Sequence, residues 1–300
     1  RTFIFLHIIS SNLFSGMQRS RLLVMALTVA SLTVTESESA KILGLFHFNG
    51  KSHFVMFEAL LKGLAARGHE VHVVSHFPQQ DPVPNYTDIS LKGSLPDLVN
   101  NFTIQFARDF RTINLWQFMW DTTLDMCEVA LQHPLFKNLI MMNKTYDLII
   151  TEIVGPDCFI ALKHILKAPL ISMTSSVAFP WGNDRVANPD NPAYIPNYYV
   201  RYSDRMSFTE RVINTLLNEG LKIANYYFGE LRAEQMSKKY FGKSLPPLSV
   251  LQKQTSLIFV NSHYSINTPR PTVPAFIEVG GLHIQHGRKL PEVIITCIVY

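Results

Sequence analysis

Cysteine is scarce in this sequence: Cys127, Cys158 and Cys297 are the only ones in 300 residues. An odd number at such wide spacing supplies neither a disulfide framework nor a zinc motif. Cys158 stands in an apolar stretch and reads as a small core residue rather than a nucleophile. Blocks of lysine or arginine are also absent, and the net charge is only +4 at pH 7. That balance argues against nucleic acid as a partner. There is no internal repeat, no low-complexity tract and no G-x-S-x-G elbow, so an α/β-hydrolase is disfavoured. No apolar run reaches the roughly 20 residues that a membrane-spanning helix needs. What is present suits a globular chain: 47% apolar residues over this length can build a sizeable core.

The N-terminal region has a layout of its own. From Met17 the chain reads MQRSRLLVMALTVASLTVTESESA. Arg19 and Arg21 precede a mostly apolar run from Leu22 to Val34, then small and polar residues follow. This is the pattern of a secretory signal peptide, expected over residues 17–40. Residues 1–16 read as an extension upstream of it, because Met17 opens the more usual signal sequence. Asn85, Asn101 and Asn143 each begin an Asn-x-Thr sequon, which fits exposure in the secretory pathway.

Further along, apolar runs alternate with helical periodicity. KILGLF (41–46) and EVHVVS (70–75) read as short buried strands. Between them, Phe54, Phe57, Leu61, Leu64 and Ala65 recur at helical spacing over 52–66. Ser52 is placed to cap that helix, and Gly68 to end it in a left-handed turn. A strand, a helix and a strand in this order make a βαβ unit with parallel strands. The pattern returns in YDLIITEI (146–153), DCFIALKHILK (157–167) and APLISMTSS (168–176). TSLIFVNS (255–262) and AFIEVGGL (275–282) are further β-rich runs. Residues 182–200, rich in Pro and Asn, read as a surface loop. Residues 206–240 read as helical, with Phe208, Val212, Leu216 and Leu217 on the apolar face. The expected class is α/β with a doubly wound parallel sheet.

His53 falls where the first turn becomes a helix. A phosphate loop is disfavoured there, since five residues separate Gly44 from Gly50 where that motif has four. Metal binding is weak too: His69, His72 and His76 are close in sequence, but His72 and His76 lie along a strand and no carboxylate completes a set. No metal is expected. In open α/β sheets, ligands bind beyond the carboxyl ends of the strands, where His53 lies. The partial positive charge of a helix start disfavours an imidazolium and suits a ring that accepts a proton. At the next βα junction, Glu152 and Asp157 each offer a carboxylate that could orient the ring, as the acid does in a triad. Against this stands the plain reading of a helix-start histidine with no role.

The sequence resembles the UDP-glycosyltransferases of animals, particularly their insect branch. The matching stretches are SH at 52–53, GHEVHVVS at 68–75, YDLIITE at 146–152, SFTERVIN at 207–214 and VNSHYSINTPRPTVPAFIEVGGLHI at 260–284. The resemblance implies a GT-B fold of two Rossmann-like domains, of which residues 41–290 would be the N-terminal, acceptor-binding one. It makes His53 the base that deprotonates an acceptor hydroxyl, whose oxygen then displaces UDP from a UDP-sugar with inversion. The partner acid stays open: position after the strand selects Glu152, residue type selects Asp157. The implied acceptor is a small lipophilic molecule bearing a hydroxyl. Ser52 and Phe54 beside the histidine are expected to contact it, and Trp116 and Trp120 in NLWQFMWD could line its pocket or pack in the core. The implied co-substrate is UDP-glucose or UDP-glucuronate, with no other cofactor.

The text departs from the family after KLPE. Residues 291–300 form an atypical tail, and neither the sugar-nucleotide domain nor the C-terminal membrane helix follows. The expectation is therefore the acceptor half alone, a truncated or misannotated product in the endoplasmic reticulum lumen, inactive until a donor domain completes it. A non-catalytic protein that binds lipophilic ligands or associates with full-length relatives is the rival reading.

Overall fold

Lys41–Leu45 alternates its side chains between two buried faces, as a central parallel strand must. Ile42 enters one core with Val71, Val73 and Ile150, while Leu43 and Leu45 enter another with Val74 and Ile149. Both faces of the sheet are therefore covered. The computed structural model describes residues 39–96, 112–142 and 144–284. Nearly all of the expected signal peptide, Asn101, Asn143, Cys297 and the tail at 291–300 lie outside the described residues.

Seven strands are described: β1 (Lys41–Leu45), β2 (Glu70–Ser75), β3 (Tyr86–Ser90), β4 (Leu148–Glu152), β5 (Leu170–Thr174), β6 (Leu257–Val260) and β7 (Phe276–Glu278). They make one sheet in the order β3-β2-β1-β4-β5-β6-β7, and every pairing is parallel. The order runs outward in both directions from the β1/β4 pair, so the expected doubly wound sheet is the one observed. The helices are α1 (Lys51–Ala66), α2 (Thr112–Gln132), α3 (Pro134–Met141), α4 (Ala161–Leu166), α5 (Pro180–Asn183), α6 (Phe208–Ala224), α7 (Leu231–Phe241) and α8 (Leu248–Gln252). α1 supplies Phe54, Met56, Phe57, Leu61 and Ala65 to the first core, and α2 supplies Leu124, Cys127, Ala130 and Leu131 to the second. Among the described residues no helix is long and apolar enough to cross a membrane.

Four sequence expectations are corrected. Ser52 does not cap α1: the helix starts at Lys51, Gly50 is the cap residue, and no side chain caps it. Gly68, by contrast, takes the left-handed turn foreseen for it, at φ 90°. The cysteines do pair, since Cys127 on α2 and Cys158 after β4 form a disulfide across 31 residues. Spacing could not show this, because the fold brings the two together with a Cα separation of 6.2 Å. The stretch 157–167 is not one helix but a 3-10 turn, Cys158–Ile160, followed by α4.

The fourth correction concerns α6, which buries a face different from the expected one and keeps only Leu217 of the four residues named for it against the core. Phe208 and Leu216 are 73% and 69% exposed, Val212 is exposed, and Leu217 is only partly buried. The buried face carries Asn214, Asn218 and Leu221. Asn214 Nδ2 donates to the carbonyls of Pro192 and Ile195, and its Oδ1 accepts from the Asn197 amide. Asn218 Oδ1 accepts from Asn197 Nδ2. Asn214 thus supplies partners for the Pro192 and Ile195 carbonyls and the Asn197 amide, and Asn218 ties the Asn197 side chain to the helix.

Candidate active site

β1 ends at Leu45 and the chain crosses the sheet edge through Phe46, His47, Phe48 and Asn49 to Gly50. A Cβ on Gly50 would stand 2.5 Å from the Phe48 ring, so only glycine lets Phe48 fold back here. Folded back, the Phe48 ring centroid lies 4.5 Å from that of His53. His53 follows in the first turn of α1, partly exposed, with its amide bonded to Gly50 O. Lys51 leans away and pairs with Glu58 at 2.9 Å.

The sheet order decides what His53 meets. β4 lies beside β1 with Leu45 opposite Thr151, so the end of β4 arrives next to the start of α1. Glu152, the last residue of β4, is buried, and its Oε1 lies 2.6 Å from His53 Nδ1. Asp157 is buried nearby but engaged elsewhere. Its Oδ2 accepts from Arg185 Nη1 at 3.1 Å and from Thr151 Oγ1 at 3.2 Å, and Arg185 also donates to Ser172 Oγ. The structure thus brings Glu152 to the histidine and holds Asp157 in a buried ion pair. Ser175, just beyond β5, completes the surroundings, with Oγ 2.9 Å from His53 Nδ1. Among the described residues Nε2 has no hydrogen-bond partner.

Burial raises the Glu152 carboxyl above its ordinary range; the His53 hydrogen bond and charge oppose this, and Asp157 adds to it. An ionised Glu152 accepts the Nδ1 proton and leaves Nε2 with its lone pair toward the cleft. In that state the ring can take a proton from a group placed beyond it, and the carboxylate stabilises the charge that results.

The expected acceptor contacts fare differently. Ser52 is exposed in the first turn of α1. Phe54 is 1% exposed and stacks with Phe77 inside the core against β1 and β2, so it contacts core rather than cleft. Trp116 and Trp120 pack in a buried aromatic cluster with Phe179 and Trp181, and Trp120 Nε1 donates to Asn225. Neither tryptophan lines the cavity of about 220 Å³ beyond β5. Its walls include Val177, Ala178, Tyr194, Ile195, Tyr198 and Arg270. Val177 is two residues past Ser175, which places one wall within about 7 Å of it along the chain.

His69, His72 and His76 make structural contacts. His72 Nδ1 meets Tyr146 Oη at 2.7 Å, His76 Nε2 meets His47 O at 3.1 Å, and His69 Nδ1 accepts from the Ala40 amide. Among the described residues no cluster of His, Cys, Asp or Glu could hold a metal ion. Ser175 and Arg185 were not singled out in the sequence. Ser175 is one hydroxyl among several in SMTSS, and Arg185 lies 28 residues beyond its partner.

Residues 45–298 match the UDP-glucoronosyl and UDP-glucosyl transferase family, a match that runs past KLPE into the stretch expected to depart from it. UDP-glucosyltransferase 2 of Dactylopius coccus is 37% identical over 277 residues, covering 90% of this chain and 52% of that protein. UDP-glucuronosyltransferase 2B1 of Rattus norvegicus is 27% identical over 264 residues, covering 80% and 49%. Among solved structures, the calicheamicin glycosyltransferase CalG4 superposes with a TM-score of 0.42 at 15% identity, covering 81% of this chain and 53% of that one. The chain spans about half the length of the relatives it matches. On the match to residues 45–298, the chain belongs to the UDP-glucoronosyl and UDP-glucosyl transferase family.

Proposed function

We propose that this chain carries the acceptor-activating half of a transfer of sugar from a UDP-sugar to the hydroxyl of a small lipophilic molecule. The observation that carries the reading is the 2.6 Å contact between His53 Nδ1 and the buried Glu152, at the β1/β4 switch point of the sheet. In the proposed step, His53 Nε2 takes the proton of the acceptor hydroxyl. The freed oxygen forms a bond to the anomeric carbon on the face opposite UDP. The bond from that carbon to the phosphate oxygen breaks, and UDP leaves with the electron pair. The proton stays on His53, where Glu152 offsets its charge. The cavity offers Val177, Ile195 and the rings of Tyr194 and Tyr198 to the body of such an acceptor, beside polar walls from Asp190, Asn197 and Arg270.

A secretory setting is part of the proposal. It is supported by the signal-like segment at 17–40, the exposed sequon asparagine Asn85 and the Cys127–Cys158 bond, which persists in oxidising compartments.

The test is transfer from UDP-glucose or UDP-glucuronate to a small phenol. It is measured with the chain itself and with the chain joined to the C-terminal half of Dactylopius coccus UDP-glucosyltransferase 2. The joined protein is expected to transfer sugar, and His53→Ala to lower the rate at least a hundred-fold with folding intact. Undiminished transfer by His53→Ala would sink the proposal.

A further inference from the structure

Ser175 stands at the meeting point of several strand ends. Its Oγ lies 2.9 Å from His53 Nδ1, the same atom that meets Glu152 Oε1 at 2.6 Å. A neutral imidazole has one N–H, and an ionised carboxylate can only accept. At 2.6 Å the carboxylate therefore requires the proton on Nδ1. The serine hydroxyl cannot then donate into that nitrogen, and it faces the N–H as a second acceptor.

The serine is itself held from behind. Asn261, the residue after β6, donates through Nδ2 to Ser175 O at 2.8 Å, and its own amide donates to Thr174 O at 3.2 Å. Asn261 Oδ1 in turn accepts from the Gly281 amide at 3.2 Å. Gly281 sits at φ 79°, a conformation that glycine adopts without strain. Residues after β5, β6 and β7 are thus linked in series to one ring nitrogen. A ring tethered by a single acceptor can pivot about that contact, whereas two acceptors on different strands define its plane.

We infer that Ser175 is a positioning residue for the proposed transfer: its hydroxyl shares the Nδ1 proton of His53 with Glu152, and Asn261 keeps that hydroxyl in place. The inference rests on His53 as the base. Ser175 holds Nε2 toward the cleft and helps Glu152 accept the Nδ1–H once the ring is charged. Asn261 carries the constraint to the turn at Gly281, so the orientation of the base depends on the far edge of the sheet.

The experiment is nitrogen NMR of the purified chain labelled at its histidine rings, with the His53 signals assigned as those lost in His53→Gln. The wild type is expected to show protonated Nδ1 and unprotonated Nε2. In Ser175→Ala Glu152 should keep the proton on Nδ1, while the ring shifts change and Nδ1–H exchange becomes roughly ten-fold faster for the loss of one hydrogen bond. Asn261→Ala should act in the same direction, and Ser175→Thr, which keeps the hydroxyl, should restore the wild-type pattern. Unchanged His53 shifts and exchange in folded Ser175→Ala would overturn the inference, as would a wild-type ring protonated on Nε2. If Ser175→Ala fails to fold, Ser175→Cys is held to the same criteria. Failure of the base reading looks different: transfer would survive His53→Gln while the ring signals still responded to Ser175.

Discussion

Glu152 and Asp157 are both buried carboxyls of one βα junction, yet the structure gives them opposite requirements. Glu152 is raised by burial and faces a partner that is partly exposed. A carboxyl raised above its ordinary value of 4.5 favours folding fully below that pH, and the contribution is lost as pH rises through the folded value. Wherever the side chain is ionised, it is therefore a cost to stability. On the proposed role of His53, Glu152→Gln should lower transfer by the joined protein about 10²- to 10⁴-fold while leaving stability at pH 7 unchanged or higher. Asp157 forms a buried ion pair with Arg185, and Asp157→Asn leaves a guanidinium without its counter-charge. That variant should lose about 3–5 kcal/mol. Urea unfolding of both variants at pH 7 checks the contrast, and equal destabilisation would refute it. The sequence showed both acids but could not choose between them. What separates them is Arg185, which reaches Asp157 only after the chain has passed through β5 and α5.

At the scale of elements, the strands and α1 were legible because each satisfies a local rule: a short apolar run, a helical stripe, a glycine where the turn is left-handed. α6 was not, because its buried face is chosen by an unusual neighbour. A loop with many prolines and asparagines offers carbonyls rather than hydrocarbon, and Asn214 and Asn218 answer it better than leucine would. The disulfide was hidden for a similar reason. Cys127 is on the face of α2 that meets the turn after β4, a contact set by tertiary packing and not by spacing. The bond closes a span of 31 residues, and in the unfolded chain it removes loop entropy worth about 3–4 kcal/mol. Cys127→Ala combined with Cys158→Ala, or mild reduction of the native chain, should lower unfolding stability by roughly that amount. Denaturant curves with and without reductant give the comparison; coincident curves would mean the bond adds nothing. Because the bridge anchors the residue after Asp157, its loss should also loosen the junction that presents Glu152.

For the whole molecule, the response to acid follows from which titratable groups the parallel sheet encloses. His47, one residue past Phe46 at the end of the β1 turn, is 1% exposed, and neither ring nitrogen has a hydrogen-bond partner. Its ring packs edge-on against Phe159 at 5.2 Å. Burial pushes it down from 6.5 to about 4, with the nearby Asp157 opposing and His76 reinforcing the shift. His72 and His76 are lowered as well, both chiefly by burial. A base whose folded value is depressed stabilises the fold above its unfolded value, and that contribution is lost as pH falls through the folded one. For His47 the window runs from 6.5 down to about 4, where unfolding frees the ring to bind a proton. The carboxyls raised by burial, Asp88, Glu152 and Glu230, act in the opposite sense and regain stability on acidification. The His47 contribution can be isolated by replacing the ring with hydrocarbon of similar bulk. His47→Leu removes the titrating group and its unpartnered nitrogens without opening a large cavity. The drop in melting temperature between pH 7 and pH 4.5 should be smaller in His47→Leu than in the wild type, the difference reflecting up to roughly 3 kcal/mol. Parallel profiles for the two proteins would show that the ring is reached by protons in the folded state, and that the turn joining β1 to α1 opens more readily than its packing implies.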